Sequence, residues 1–266
     1  MTLSAAVVSD PDVSGGEPAG VAWIGGVGAE AGLGAAVARR FARGGLRVVL
    51  TGRSAARIES VAESIRAAGG HAHALPGDLA SPAQLQGIAQ RIRGLGPVKA
   101  AVFNAGSAVR APTLQIDADQ FTQVWRNSTL AGFLFAREAL ALLLDNGSDA
   151  LAATGRGSLL ITGATASLRG RPPFAAFAAA KAGLRSLGQT LAREFGPQGV
   201  HVAHVVIDGG IDGERLRNQS PERAAQAGEG GLLQPDAIAE SYWQLHAQHR
   251  SAWTQELDLR PFKEPF

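Results

Sequence analysis

The chain has 266 residues, room for one α/β domain of ordinary size, since such domains run to roughly 250 residues. Hydrophobic residues make up 45% and charged residues 18%, a globular composition rather than a disordered one. The net charge is only +2, and the 25 lysines and arginines are spread along the chain, which argues against a nucleic-acid partner; with no cysteine, disulfides and thiol catalysis are excluded.

Residues 1–20 carry Asp10-Pro11 and Ser14-Gly15-Gly16 and read as a flexible N-terminal tail, leaving 21–266 for the domain. No apolar run approaches the ~18 residues of a membrane span, and no signal pattern opens the chain. The expectation is a cytoplasmic protein with no membrane partner. Val21–Gly25 reads as a first strand, and Leu33, Val37 and Phe41 recur at helical spacing. Leu46–Thr51 reads as a second strand, 54–68 as helix, and His71–Leu75 as a weaker strand. Helix follows over 82–93, strand over Val98–Phe103, and a long helix over 117–144. A polar loop spans 145–157, then come strand Ser158–Thr162, helix 174–195 and strand Val200–Ile207. Residues 213–234 read as a mobile loop, and Thr254–Leu259 as a last strand. Strands and helices that alternate at these lengths predict a single-domain, doubly wound Rossmann sheet of about seven parallel strands, with helices on both faces.

"GGVGAEAGLG" (25–34) lies between the first strand and the first helix, with Gly28, Gly32 and Gly34 spaced G-x-x-x-G-x-G. Glycine allows a tight turn and lets a pyrophosphate reach the free N–H groups of a helix N-terminus. The plainer reading is a loop that only packs helix on strand; its place between strand and helix favours dinucleotide binding. An acid at the end of the second strand would bond a ribose 2′-OH. Here "VVLTGRS" (48–54) offers Gly52 and Arg53 instead. Arginine suits a 2′-phosphate, so NADP(H) is expected in preference to NAD(H). The alternative is a solvated surface side chain.

With these segments in view, residues 20–260 resemble the short-chain dehydrogenase/reductase family. Gly28, Gly32 and Gly34 match its cofactor glycines, and "GDL" (77–79) places Asp78 where the family bonds adenine. "FNAG" (103–106) keeps Asn104, Ala105 and Gly106 of N-N-A-G, "FAAAK" (177–181) matches Y-x-x-x-K, and "IDGGID" (207–212) keeps Gly209 but has Asp208 in place of proline. The resemblance implies a cofactor site of Gly28, Gly32, Leu33, Gly34, Arg53, Asp78, Leu79, Asn104, Ala105, Gly106, Lys181, Gly209 and Ile211.

The departures bear on chemistry. In the family a tyrosine is the acid or base, a serine thirteen positions earlier bonds the substrate oxygen, a lysine holds the ribose, and an asparagine completes a proton relay. The corresponding residues here are Phe177, Ala164, Lys181 and Ser128, with Asn127 beside the last. Only the lysine is kept. A positioned acid is worth roughly 10²–10⁴-fold and an oxyanion donor ~10²–10³-fold, so ordinary ketone reduction is left unsupported. The single tyrosine, Tyr242, is far along the chain from Lys181. Lys181 would lie one turn after Phe177, with a pKa lowered by burial, as a ribose clamp or as an acid. Thr165 and Ser167 read as turn formers or substrate-bonding hydroxyls. Arg169 and Arg171 read as solvated loop side chains or contacts to an acidic substrate. The six histidines do not cluster with acids, so no metal is expected.

Two functions stay open. One is an NADP(H)-dependent oxidoreductase acting on a small molecule that needs no strong enzymic acid: an imine, an activated alkene or a quinone-like acceptor. The other is a catalytically silent or non-redox NADP(H)-binding protein. The two long helices, the first with "FLFAREALALLL" (133–144), are too apolar for wide solvent faces, which predicts a homodimer or homotetramer.

Overall fold

The computed structural model describes residues 17–145 and 151–264. Seven strands, β1 (Val21–Gly25), β2 (Arg47–Thr51), β3 (Ala72–Ala74), β4 (Val98–Phe103), β5 (Gly157–Thr162), β6 (Val200–Ile207) and β7 (Glu256–Leu259), form one parallel sheet in the order β3-β2-β1-β4-β5-β6-β7. The helices are α1 (Leu33–Arg43), α2 (Ala55–Ala67), α3 (Pro82–Arg93), α4 (Ala118–Trp125), α5 (Ala131–Asp145), α6 (Ala175–Phe195), α7 (Glu214–Gln219), α8 (Pro221–Ala227) and α9 (Pro235–His246).

The period-two geometry of a strand divides β1 between two cores. Ala22 and Ile24 join Val37 and Phe41 of α1 and Tyr242 of α9 on one face. Val21 and Trp23 join Leu85 of α3, Phe135 of α5 and Leu184 of α6 on the other. All eight residues of β6 are buried, as a strand covered on both faces must be. Gly45, with φ +85°, follows α1 in a conformation that favours glycine and turns the chain into β2. Asp117 and Gln120 cap α4 reciprocally: Gln120 N–H donates to the Asp117 carboxylate at 2.7 Å, and Asp117 N–H to the Gln120 amide oxygen at 3.2 Å.

Most expected elements lie within a residue or two of their observed limits, and four readings change. The long helix expected over 117–144 is α4 and α5 joined through a π-helical turn, Arg126–Leu130. By length and apolarity Ala118–Asp145 would suffice to cross a membrane, but Phe135, Ala139 and Leu143 are buried against the sheet. The loop expected over 213–234 contains α7 and α8. The expected tail lies outside the described residues up to 16, and its end is tied to the sheet: Ala19 N–H donates to Gly45 O and Gly20 O accepts from Arg47 N–H. Of the polar loop expected over 145–157, residues 146–150 lie outside the described residues, and Gly157 already belongs to β5.

β1 and β4 are neighbours, while the chain leaves β1 toward β2 and leaves β4 toward β5. This reversal opens a crevice beyond the carboxyl ends of the strands, where doubly wound sheets bind ligands.

Candidate active site

The crevice floor is glycine because the backbone there is crowded. Gly26 turns at φ +90°, and a Cβ would stand 2.5 Å from Ala105 N. A Cβ on Gly34 would stand 2.9 Å from Gly26 O, so the first turn of α1 lies directly on the end of β1. Gly28 differs: a Cβ there would meet nothing within 4 Å, so its missing side chain opens the cleft. Gly32 precedes α1 with no side-chain cap, and the first turn has no acid. Uncapped amides and the helix dipole favour an anion at this point.

A cleft of about 1550 Å³ starts here, beside Leu33. It passes the exposed Arg53 at the end of β2, then Asp78 and Leu79 after β3. Asp78 is held by its own turn, its carboxylate accepting from Ala80 N–H at 2.9 Å. The cleft crosses Asn104, Ala105 and Gly106 after β4 and ends at Gly209 and Ile211 after β6. Length, anion-binding helix end and basic rim together fit a dinucleotide. All the residues expected to hold the cofactor border this cleft except Lys181, which borders the cavity at its end.

That adjoining cavity, about 450 Å³, brings Lys181, Phe177 and Ala164 together. The Lys181 ammonium is 6.0 Å from the Phe177 ring centroid, as residues one helical turn apart should be. Lys181 Nζ donates to Thr162 O at 2.8 Å. Its burial, and then the charge of nearby Arg215, push its pKa down to about 8. Ser128 lies behind Gly106: a Cβ on that glycine would be 3.5 Å from both Ser128 Oγ and Lys181 Nζ. The π-helical turn carries Ser128 to this place, and the Thr129 hydroxyl pins the turn to α6 by donating to Ala180 O at 2.7 Å. Ser128 Oγ is buried without a hydrogen-bond partner, and its neighbour Asn127 donates to Ser107 Oγ at 3.4 Å.

The two hydroxyls after Ala164 are engaged. Ser167 Oγ accepts from Ala164 N–H at 3.1 Å, a turn contact of the expected kind. Thr165 instead reaches across to β6 and donates to Asp208 Oδ1 at 2.6 Å. Asp208 is fully buried, and its Oδ2 meets Arg169 and Arg260, each at 3.1 Å. Arg169 is therefore a structural ion-pair partner and not a solvated side chain. Asp208 ties the loop after β5 to the end of β6. This role was not readable from a residue that only replaced a proline. Gly26, Arg57, Arg110, Arg215 and Arg223 also border the cleft and were missed. Gly26 was visible beside the motif, whereas Arg57, Arg215 and Arg223 needed the packing of α2, α7 and α8, and Arg110 the course of the loop after β4.

Tyr242 offers no acid to this cavity. It is fully buried on the α9 face, bonded to Thr162 Oγ1 at 2.8 Å, and burial pushes its pKa up. His204 lies under Gly163, where a Cβ would come within 2.3 Å of its Nε2. Burial pushes its pKa down to about 4 despite Glu256 beside it, so it is neutral at pH 7. Among the described residues no cluster of metal-ligating side chains occurs.

A family model for short chain dehydrogenases matches residues 23–224. The short-chain dehydrogenase/reductase eriH of Hericium erinaceus is 33% identical over 186 residues, covering 68% of this chain and 70% of its own. Among solved structures, a short-chain dehydrogenase from Rhodopseudomonas palustris is 35% identical with a TM-score of 0.73, covering 91% of this chain and 98% of its own. A metagenomic short-chain oxidoreductase in complex with NADP is 25% identical with a TM-score of 0.73, over 92% and 98% of the two chains. The chain belongs to the short-chain dehydrogenase family. That family comprises oxidoreductases that bind nicotinamide cofactors and act on small molecules.

Proposed function

We propose that the protein is an NADP(H)-dependent oxidoreductase that reduces an acceptor needing no side-chain acid: an imine, an activated alkene or a quinone-like ring. The observation that carries this reading is the lining of the cavity beside Lys181. The Phe177 ring and the Ala164 methyl group line it, and the Thr165 hydroxyl on the same wall already gives its proton to Asp208. A ketone oxygen that gains charge during reduction would find neither a tyrosine nor a serine hydroxyl on its wall. Lys181, its pKa lowered to about 8, lines the cavity beside the ring.

When bound, the reduced cofactor supplies a hydride and leaves oxidised. On a protonated imine the carbon receives the hydride and the nitrogen keeps its proton and gains the π pair, so no further acid is required. An alkene or quinone needs one more proton, from water or from the Lys181 ammonium. Lys181 lies in the cavity at the end of the long cleft, where it would clamp the nicotinamide ribose. Phe177 excludes water from the same wall. Preference for NADP(H) is supported by Arg53 on the cleft rim, with Arg57 one turn further along α2.

In this reading the protein works in the cytoplasm as a homodimer or homotetramer. Phe121, Trp125 and Phe133 support the assembly: they lie on α4 and α5 with 41%, 41% and 45% exposure. The test of function is NADPH consumption with a panel of cyclic imines, enones and quinones against simple ketones. Turnover with at least one activated class is expected. No turnover with any of them, in a protein that binds NADPH, would leave a silent nucleotide-binding protein.

A further inference from the structure

The cavity beside Phe177 is ringed by cations. Lys181 comes from α6, Arg169 and Arg171 from the loop after β5, Arg215 from α7 and Arg223 from α8. Glu264 is the single acid on its wall among the described residues, and Asp208 beneath is taken by Arg169 and Arg260. Arg215 has a side-chain amide for a neighbour, its Nε donating to Gln219 at 3.4 Å. Among the described residues, neither Arg171 nor Arg223 makes an ion pair.

Arg171, Arg215 and Arg223 are exposed at the cavity mouth, Arg169 is half-buried and Lys181 is buried. Cations drawn from four separate elements face one open cavity, and each raises the cost of holding the others there. The lowered pKa of Lys181, caused in part by Arg215, shows that this field reaches the buried ammonium. A bare cationic substrate would be repelled. A ligand that carries its own negative charge would relieve the repulsion and replace water around the guanidinium groups with charge-assisted hydrogen bonds.

We propose that the cavity takes an anionic acceptor, whose carboxylate or equivalent oxyanion group is held by Arg171 and Arg215. This rests on the reading of the cavity as the acceptor site and narrows it: of the activated acceptors, those bearing an acid group fit. Arg171 is the discriminating residue. It borders this cavity and not the long cleft, whereas Arg215 and Arg223 border both and are also placed to meet a phosphate of the cofactor.

Direct binding separates the two sources of negative charge and does not depend on turnover. Benzoate and its neutral isostere benzamide are titrated by calorimetry into the protein saturated with NADP⁺, at low and moderate salt. Benzoate should bind roughly ten-fold or more tightly than benzamide, the scale of one charge-assisted hydrogen bond. Raising the salt should shrink the ratio. Arg171→Ala should bring it near one, Arg171→Lys should keep part of it, and NADPH should still bind both variants. Equal binding of the two probes to the unmodified protein would overturn the inference. It would also be overturned if Arg171→Ala leaves the ratio intact while Arg215→Ala weakens only NADPH, for then the arginines serve the cofactor. Selective benzoate binding in a protein that turns over no acceptor would uphold the anion site and remove the redox reading instead.

Discussion

Thr165 Oγ1 and Asp208 Oδ1 are 2.6 Å apart, and this bond decides what the loop after β5 can offer a substrate. Because the threonine proton goes to a carboxylate flanked by Arg169 and Arg260, only the lone pairs of the hydroxyl remain for the cavity. The same pairing gives Asp208 a structural weight that its neighbours lack. Asp208→Asn should lose on the order of 3 kcal/mol, because Arg169 is left against a neutral amide while Arg260 keeps Asp258. Thr165→Val should lose only about 1 kcal/mol. Urea unfolding of the two variants measures both, and equal losses would show that the ion pairs contribute little.

Gly28 separates folding from cofactor binding. Its added Cβ would meet nothing within 4 Å, so Gly28→Ala should keep the melting temperature within a degree or two while weakening NADPH binding at least ten-fold. Gly26→Ala serves as the contrast: at φ +90°, with Ala105 N 2.5 Å from the new carbon, it should destabilise the fold itself. Thermal melts and fluorescence titration of NADPH check both. Unchanged cofactor affinity in Gly28→Ala would place the pyrophosphate elsewhere.

Arg53 sets the cofactor preference in this account. The unmodified protein should bind NADPH more tightly than NADH. Arg53→Ala should narrow the gap by roughly 10–100-fold, the value of a charge-assisted contact. Because Arg53 is exposed, the preference should also shrink at high salt. Equal affinities of the unmodified protein for the two cofactors would contradict it.

Lys181 makes stability depend on pH with a defined sign. Its folded pKa of about 8 lies below the ordinary 10.5. Between those values the unfolded chain still holds a proton that the folded one has released, so raising the pH favours the folded state. Relative to Lys181→Met, the unmodified protein should gain stability from pH 8 to pH 10.5, by roughly 3 kcal/mol at most. Below pH 8 the difference between the two should be flat. Denaturant unfolding across this range checks it, and a flat difference throughout would mean that the ammonium is better solvated than its burial implies.

Much of this was legible in the sequence, for physical reasons. Val21–Gly25 and Val200–Ile207 read as strands because both faces are buried and the runs are continuously apolar. Phe177 and Lys181 were readable as one corner because residues four apart share a helix face. Ser128 was placed by register alone, and the π-helical turn that delivers it leaves no periodic signature. The 213–234 segment read as loop because scattered glycine and charge hide helices as short as α7 and α8, which are held by their place over the cleft. Asp208 was noticed only as a departure. A contact 43 residues away in sequence, like that with Thr165, has no local pattern.

The central claim is that the cavity supplies no hydroxyl acid to a ketone oxygen. The measurement that tests it most directly is the single-turnover rate of simple ketone reduction by NADPH-saturated protein, unmodified and as the triple variant Phe177→Tyr, Ala164→Ser, Ser128→Asn. The account predicts a negligible rate for the unmodified protein and a gain of roughly 10²-fold or more when the hydroxyls and the relay are restored. Reduction of simple ketones by the unmodified protein at ordinary enzyme rates, about 1–10³ s⁻¹, would contradict it and require another residue to give the proton.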